Sequence, residues 1–374
     1  MKKRKWLKLD WHAVTNSLRS KLEASGLSPE EQEGLASIQN KILTTEKDND
    51  AGRLKYIHSD RWIAACGSDY RRHMNVLEDW GEFKSIHSYK ATHDENGIPK
   101  PYWIPRPALD TGVCTMEFRR QRLRAPVQDN HPTDAASSYA LKCLTELDVV
   151  TDADFRLPQE PIHRSLVKDH CTHIFFKNYS LRYGHDCLRL FHRVVMMPSE
   201  GRRNLSHYLP LVEYDVKTCH PLLLMKHFDD AGELKRYQDL ITADIYEEVA
   251  SVLGDTERES VKAAFLRVMN TVDKHERWYK DEPLLHWFYE QFPRFTKSFL
   301  SVRTDLAVEL QNFEAELMVQ QLGAICRTEG LFWIPQHDGY ISTVADGEII
   351  KGYAAKIIFG AVGFMPEITG EPLK

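Results

Sequence analysis

Three separate stretches of the chain carry residues that could do chemistry on a phosphate. Asp215 follows an apolar run, Arg258 and Lys262 stand four residues apart, and Asp338 follows a histidine near the C-terminal end. Two carboxylates from separate elements can hold two divalent cations close together, an arrangement that suits in-line phosphoryl or nucleotidyl transfer. Arg and Lys near a helix N-terminus suit a triphosphate. The residue types therefore predict a metal-dependent reaction at a phosphate.

The stretch from residue 333 to 343 reads as two apolar strand arms that meet at Asp338-Gly339, a dipeptide suited to a tight hairpin turn. His337 and Asp338 would then lie at the tip of the hairpin. A His-Asp pair in a turn is more often a surface turn than a functional site. A carboxylate held at the end of two buried strands can also be a metal ligand, so the role of Asp338 depends on the rest of the chain.

Asp215 is expected at a junction between a strand and a helix. Residues 209–216 read as a strand that ends near Asp215, and an apolar helix start follows His220. Pro221 is suited to the first position of that helix. This arrangement would leave the side chain of Asp215 facing a site.

A helix is predicted from Arg258 to Asn270, with Thr256 and Glu259 forming a capping box. Arg258 and Lys262 share one face of this helix. An arginine in the first turn opposes the helix dipole, and a bound anion would reverse that cost. The alternative is a solvated basic face, but the neighbour of Lys262 one turn back carries a like charge.

A long helix is predicted from Leu306 to Arg327, and its apolar stripe has helical spacing. Gln311 and Glu314 lie beside that stripe. The stripe consists of Leu306, Leu310, Phe313 and Leu317. A further helix is expected from about residue 347 to 359, followed by a short irregular end.

Composition sets outer limits on the class of protein. The 374 residues are 42% hydrophobic and 28% charged, which excludes a disordered or fibrous chain and allows two domains. The net charge of -5 does not indicate nucleic-acid binding, although acidic metal ligands can coexist with basic surfaces. Seven irregularly spaced cysteines favour a reducing compartment over a disulfide framework. Without a signal peptide or a bilayer-length apolar run, a soluble intracellular protein is expected.

Residues 1–160 are polar and favour helices, and Pro158 and Pro161 suggest a boundary near residue 160. Ser28 followed by Pro29 and Glu31 indicates a helix start. A compact basic run near residue 120 is either a solvated helix face or a contact to a phosphate backbone. Its arginines are Arg119, Arg120, Arg122 and Arg124.

A zinc site is a further alternative for the histidines and cysteines between residues 170 and 187. These residues are His170, Cys171, His173, His185 and Cys187. Their inner spacings are not those of common structural zinc sites, so zinc binding stays open.

Three short motifs, in this order, resemble those of family A nucleic-acid polymerases, the group of bacterial DNA polymerase I and the single-subunit phage and mitochondrial RNA polymerases. Glu213–Pro221 resembles motif A, Arg258-x-x-x-Lys262 resembles motif B, and Gln336–Tyr340 resembles motif C. The resemblance covers about residues 180–345. It implies an α+β fold in residues 161–374, with a right-hand polymerase-like palm (an antiparallel sheet) and helical fingers. A mostly helical accessory region, residues 1–160, would precede this core and help to hold nucleic acid.

The resemblance implies a role for each matched residue. Asp215, Asp338 and the carbonyl of Val216 would hold two Mg²⁺ ions, with Mn²⁺ as an alternative. Arg258 and Lys262 would contact the triphosphate, and Lys262 could protonate the leaving group. Further residues are implied to contact the template, the primer or the duplex product: His337, Gln311, Glu314, Arg189, Arg193, Arg202 and Arg203.

Three positions depart from the family pattern. Asn270 stands where motif B has a tyrosine that contacts the nucleotide, and His220 stands where the DNA-polymerase branch has a glutamate that excludes the ribose 2′-hydroxyl. Gly339 follows the motif C aspartate, where the DNA branch often has Glu and the RNA branch Ser. The sugar of the nucleotide is therefore left open, because His220 could block a 2′-hydroxyl or hydrogen-bond to it.

The resemblance implies a template-directed nucleotidyltransferase, a DNA polymerase that extends a primer with nucleoside triphosphates in the cytoplasm of a bacterium or a phage-infected cell. The alternatives are an RNA polymerase or primase of a phage or mobile element, a metal-dependent nuclease, and an inactive polymerase-like protein that only binds nucleic acid. Residues 1–160 show no match to a proofreading exonuclease, and the oligomeric state stays open. A binding module has no need of paired carboxylates, and a nuclease has no need of Arg258 and Lys262 on one helix.

Overall fold

The computed structural model describes thirteen stretches of the chain, which form a mixed α/β fold with small antiparallel sheets. These are residues 9–44, 55–57, 70–82, 84–85, 100–104, 106–111, 113–119, 132–151, 153–184, 187–254, 258–270, 282–303 and 305–373.

The chain forms two compact units. The first unit comprises Met1–Val127, Asp148–Asn178 and Met196–Leu205, and the second comprises Gln128–Leu147, Tyr179–Val195 and Ser206–Lys374. The sequence predicts one boundary near residue 160, whereas the chain passes back and forth between the units before residue 206.

The first unit contains both helices and strands. Its helices are Asn16–Ala24, Pro29–Leu43, Tyr70–Asp79, Arg106–Leu109, Pro161–Phe175 and Ser199–Arg202. Its strands are Leu9–Thr15, Lys55–Ile57, Lys84–Ser85, Lys100–Trp103, Val113–Arg119 and Asp148–Val149, and the strand Leu205–Ser206 begins at its last residue. The helix start predicted at Ser28 is confirmed as a capping box: the Ser28 hydroxyl accepts the Glu31 N–H at 3.3 Å, and the Glu31 carboxylate accepts the Ser28 N–H at 3.2 Å.

The described part of the N-terminal region contains strands as well as the expected helices. Leu9–Thr15 pairs antiparallel with Val113–Arg119 along its whole length, and Leu9 lies opposite Arg119. Residues this far apart in sequence leave no local signal of their pairing, although their β-branched and aromatic residues suit strands. Arg119 therefore ends a strand instead of lying on a helix. Arg120, Arg122 and Arg124 lie outside the described residues, and nucleic-acid contact by this run stays a prediction.

The second unit contains a four-stranded antiparallel sheet. Its strand order is Ile334–Gln336, Gly339–Thr343, Leu211–Val216 and Ile368–Pro372. Leu211–Val216 is one of the two inner strands and is called the central strand below. It confirms the predicted strand that ends near Asp215. The prediction of an irregular C-terminal end is wrong, because Ile368–Pro372 pairs with the central strand. Apart from Ile368 this stretch is exposed and lacks an apolar alternation, so backbone pairing at the sheet edge forms the strand.

The other elements of the second unit are mostly helices. They are Ala135–Glu146, Arg193–Met196 (whose last residue belongs to the first unit), Cys219–Leu223, Ala231–Thr242, Ile245–Leu253, Arg258–Asn270, Pro283–Gln291, Pro293–Phe295, Leu306–Ala315, Leu322–Glu329 and Val344–Val362. Leu224–His227 is a 3₁₀ turn, Thr296–Leu300 and Glu316–Gln321 are π-helical, and Arg182–Tyr183 pairs antiparallel with Leu190–Phe191.

Four helices predicted in the second unit are confirmed with small shifts. The Arg258 helix, Arg258–Asn270, has the predicted bounds, and Thr256, its predicted cap, lies outside the described residues. The predicted long helix appears as a helical run from Leu306 to Glu329 that ends at Gly330, which has a φ of 70°. The C-terminal helix, Val344–Val362, is longer than expected. The helix after the central strand starts at Cys219, two residues before the predicted Pro221.

Two stacked tyrosines fix the sheet against the C-terminal helix. The rings of Tyr214 on the central strand and Tyr340 on the next strand lie 4.9 Å apart, nearly parallel. The Tyr340 hydroxyl donates to the Gly347 carbonyl at 3.0 Å. A Cβ on Gly347 would come within 2.2 Å of the Tyr214 ring, so only glycine allows this approach. This packing holds the two strands whose ends carry Asp215 and Asp338.

Across the stretches that the structure describes, no helix combines the length and the apolar character needed to cross a bilayer.

Candidate active site

The hairpin that carries Asp338 turns at His337-Asp338, one residue earlier than predicted. Gln336 pairs with Gly339 across the turn, and His337 has a φ of 20°. Gly339 therefore belongs to the strand. A Cβ on Gly339 would lie 2.1 Å from the carbonyl oxygen of Tyr214. The glycine is required by the close approach of two strands, and not by the turn.

The sheet brings Asp215 and Asp338 to the same end of adjacent strands. Asp215 lies opposite Gly339, and the Val216 N–H donates to the Asp338 carbonyl at 3.1 Å. Asp215 keeps an exposed surface at the end of its strand, yet partial desolvation of its carboxyl, followed by the charge of Asp338, raises its pKa to about 7. Desolvation, followed by the charge of Glu314, raises the pKa of Asp338 above its usual value. The two carboxylates thus form one acidic cluster, as the sequence predicts.

Lys262 on the Arg258 helix interacts with this cluster. Its positive charge lowers the pKa of Asp215, although desolvation and Asp338 outweigh it. Three elements that are distant in sequence therefore meet in one electrostatic environment. One lysine offsets only part of the negative charge, which leaves the pair of carboxylates suited to a cation. Asn270 is the last residue of the same helix.

Arg258, at the start of that helix, is paired with Asp244. Its Nε and Nη2 atoms donate to Asp244 Oδ2 at 3.2 and 3.1 Å, and its guanidinium lies 5.0 Å from the centre of the Tyr246 ring. Lys217, which follows the central strand, lies 4.0 Å from the same oxygen. Sequence reasoning missed Asp244 and Lys217. The only available signal was the acidic first turn after Asp244, which indicates a helix cap and not a partner for Arg258.

A buried ionic network lies next to Asp338. Glu314, which is 0% exposed, accepts from Arg189 Nε at 2.8 Å and lies 2.9 Å from His220 Nε2. Arg189 Nη2 also lies 2.8 Å from His220 Nε2. One imidazole nitrogen cannot donate to Glu314 and accept from Arg189 at once, so Glu314 is the shared acceptor. Burial alone would raise the pKa of Glu314, but the hydrogen bond from His220 and the charge of Arg189 hold it below its usual value.

This network changes the interpretation of Glu314, Arg189 and His220. Glu314 and Arg189 form an ion pair with each other, and together they orient His220. Gln311 is half-buried on the same helix as Glu314. Direct contact of Glu314, Arg189 and Gln311 with nucleic acid stays a prediction.

His337 lies beside the short hairpin that ends at Phe191. Its ring packs edge-on against Phe191, with the ring centres 5.1 Å apart. His192 Nε2 lies 2.8 Å from the Pro335 carbonyl and ties this hairpin to the strand before His337. Arg193 donates from Nε to the Ser180 hydroxyl at 3.1 Å.

Arg202 and Arg203 belong to the first unit. Arg202 donates to the Met197 carbonyl at 3.3 Å, and Arg203 donates to the Glu200 carbonyl at 2.6 Å. Their predicted contact with a duplex product stays a prediction.

Zinc binding by the histidines and cysteines between residues 170 and 187 stays open. His170, Cys171 and His173 lie on the helix Pro161–Phe175, Cys187 belongs to the second unit, and His185 lies outside the described residues. Among the residues for which the structure gives positions, no group of three or more His, Cys, Asp or Glu side chains could hold a metal ion. Asp215 and Asp338 are only two side chains, so they fall below that number.

Comparison with protein families, curated proteins and solved structures gives no match for this chain.

Proposed function

We propose that the second unit is a template-directed nucleotidyltransferase, a DNA polymerase that extends a primer, with the sheet as palm and the Arg258 helix as part of the fingers. The observation that carries this proposal is the meeting of Asp215, Asp338 and Lys262. These residues come from three elements, and the charges of Asp338 and Lys262 both act on Asp215. Paired carboxylates beside a helix that carries Arg258 and Lys262 suit the transfer of a nucleotide from its triphosphate.

The donor atoms fit Mg²⁺. Carboxylate oxygens are hard ligands of the kind Mg²⁺ takes, and the backbone carbonyl of Val216 at the strand end offers another oxygen. Desolvation raises the pKa of both carboxyls, and a further acidic charge, that of Asp338 on Asp215 and that of Glu314 on Asp338, adds to it, a cost that a bound cation would relieve. Mn²⁺ accepts the same ligands. When bound, the metal ions would lower the pKa of the attacking hydroxyl and stabilise charge on the departing pyrophosphate.

Each residue of the site then has a task. Asp215 and Asp338 face the α-phosphate, where the primer 3′-hydroxyl attacks and the bond to pyrophosphate breaks. Lys262 neutralises charge on the triphosphate and donates a proton to the leaving group. Arg258 binds the outer phosphates. His337 lies at the turn tip next to the primer end.

His220 is oriented by Glu314, and it follows Asp215 by five residues. By the resemblance to motif A, His220 would meet the sugar of the nucleotide, as a block or as a hydrogen-bond partner of a 2′-hydroxyl. The proposal therefore keeps an RNA polymerase or primase of a phage or mobile element as the second candidate.

A primer-extension assay with Mg²⁺ tests the proposal. The wild-type protein is expected to extend a primed template, and Asp338→Ala is expected to abolish extension while the protein stays folded. Glu348→Gln is the control, because Glu348 lies on the C-terminal helix and accepts the Tyr214 hydroxyl at 3.2 Å. Extension by Asp338→Ala at the wild-type rate would contradict the proposal.

The same assay separates the alternatives. Deoxynucleotides and ribonucleotides are compared, each with and without a primer. Chain synthesis from ribonucleotides without a primer identifies an RNA polymerase or primase. Degradation of the primer without extension identifies a nuclease, and binding without either reaction identifies an inactive binding protein.

A further inference from the structure

Arg258 makes its closest ion pair with a residue that sequence reasoning did not consider. Both Nε and Nη2 of Arg258 donate to one oxygen of Asp244, and the Asp244 side chain is only 9% exposed. The Arg258 side chain is 34% exposed. The carboxylate thus takes up the guanidinium edge that a phosphate would use.

Asp244 is fixed by its backbone as well as by its side chain. It precedes the helix Ile245–Leu253, its Oδ1 accepts the Tyr246 N–H at 3.1 Å, and its carbonyl accepts the N–H groups of Glu247 and Glu248. Its φ of 67° is uncommon for a residue other than glycine. One carboxylate oxygen caps the helix while the other faces Arg258. The anion is therefore held in place, whereas the long arginine side chain can change its partner.

Lys217 approaches the same oxygen from a different element. Its Nζ lies 4.0 Å from Asp244 Oδ2 and 3.3 Å from Glu367, and its side chain is 39% exposed. Lys217 stands two residues after Asp215, directly after the central strand. Two cations, one directly after the central strand and one at the start of the Arg258 helix, thus approach one carboxylate oxygen.

We propose that Asp244 is a resident anion that holds Arg258 and Lys217 until the triphosphate of the nucleotide replaces it, and that Lys217 is a further phosphate contact. This inference rests on the proposed function and adds the regulation of its nucleotide site. A triphosphate carries more charge than one carboxylate and offers more oxygens, so it competes successfully for both cations. Asp244 lowers the affinity of the site for anions and keeps both cations from binding weaker ones.

The test measures binding of inorganic tripolyphosphate by calorimetry, in buffer with EDTA so that no metal contributes. Asp244→Asn keeps the cap and tolerates the positive φ, but it removes the charge opposite Arg258. It is expected to tighten binding about two- to fivefold, the range of a partly exposed ion pair. Lys217→Gln is expected to weaken binding by roughly threefold.

Asp230→Asn is the matched control. Asp230 also caps a helix, with its side chain accepting the Glu233 N–H, and also pairs with an arginine, Arg294, at 2.7 Å. Its substitution is expected to leave tripolyphosphate binding unchanged. An equal gain in this control would show a general effect of net charge and would overturn the inference.

The remaining outcomes also test the inference. Unchanged or weaker binding by folded Asp244→Asn overturns the inference, as does a wild-type protein that binds no tripolyphosphate. If thermal melting shows that Asp244→Asn is unfolded, Lys217→Gln decides instead, and unchanged binding by that variant overturns the inference. Primer extension by the wild type is measured in parallel. Extension with no effect of Asp244→Asn on binding refutes the inference alone, whereas tighter binding without extension refutes the polymerase proposal alone.

Discussion

Replacing Glu314 by glutamine is expected to destabilise the second unit severely. The substitution keeps the size of the side chain and removes its charge. Glu314 is 0% exposed and Arg189 is 14% exposed, so the arginine would be left buried without a counter-charge. Removing one partner of a buried pair costs about 3–5 kcal/mol, because the remaining charge keeps its desolvation penalty. That loss is a large fraction of the about 5–15 kcal/mol by which a protein is usually stable.

Chemical denaturation of four proteins measures this effect. These are the wild type, Glu314→Gln, Arg189→Met and the double variant. The double variant is expected to be more stable than the sum of the two single losses predicts, by roughly 1–3 kcal/mol, because neither charge is then left alone. The asymmetry between the single and double variants is the signature of a buried pair.

The pH dependence gives an independent check on the same residue. The folded protein holds the pKa of Glu314 below its usual value, so its contribution to stability is present above the unfolded pKa. That contribution is lost as pH falls through the lowered, folded-state pKa. The stabilities of the wild type and Glu314→Gln are therefore expected to converge in acid.

Asp230→Asn is the control for this series. Asp230 pairs with Arg294 at 2.7 Å, but both side chains are more exposed, at 28% and 71%. An exposed pair contributes about 0–1 kcal/mol. Equal losses for Glu314→Gln and Asp230→Asn, or additive losses in the double variant, would refute the reasoning.

Two further predictions concern the hairpin and the acidic cluster. Gly339→Ala is expected to lower the free energy of unfolding by about 1–3 kcal/mol, because its Cβ would meet a backbone carbonyl. Gly352→Ala on the C-terminal helix has open space and is expected to raise the free energy of unfolding by about 0.5–1 kcal/mol. Thermal melts compare the two variants, and similar melting temperatures would contradict the close approach. In the metal-free protein, Asp338→Asn is expected to lower the pKa of Asp215 from about 7, and Lys262→Gln is expected to raise it. An NMR titration of the Asp215 carboxyl measures both shifts, and shifts of the opposite sign would contradict the cluster.

The same cluster predicts a pH dependence of stability. A pKa of Asp215 raised to about 7 means that the folded protein binds this proton more tightly than the unfolded chain. The stability of the metal-free protein should therefore fall as pH rises from the ordinary aspartate range to about 7. Asp338→Asn should reduce that fall, and denaturation across this pH range measures it.

Elements with strong local signals were predictable from the sequence. The capping box at Ser28, the Arg258 helix and the strand that ends near Asp215 all follow from nearby residues. The meeting of Asp215, Asp338 and Lys262 was expected only through the order of the motifs, since no local pattern determines which distant elements come together.

The features that were missed depend on contacts between distant residues. The strand Ile368–Pro372 has little apolar pattern of its own and exists through its pairing with the central strand. The turn of the hairpin was predicted one residue too late, because a glycine after an aspartate is typical of a turn. In the structure Gly339 belongs to the strand, where the close approach of the neighbouring strand requires a glycine. Asp244 reads as an ordinary helix cap, and its pairing with Arg258 becomes visible only in three dimensions.

The rate of single-nucleotide incorporation on a primed template tests the central proposal most directly. The proposal predicts Mg²⁺-dependent incorporation by the wild type and by Glu348→Gln, and a loss of several orders of magnitude in Asp215→Asn and Asp338→Asn. Incorporation by either aspartate variant at the rate of the wild type would contradict the assignment of these two carboxylates to the catalytic site.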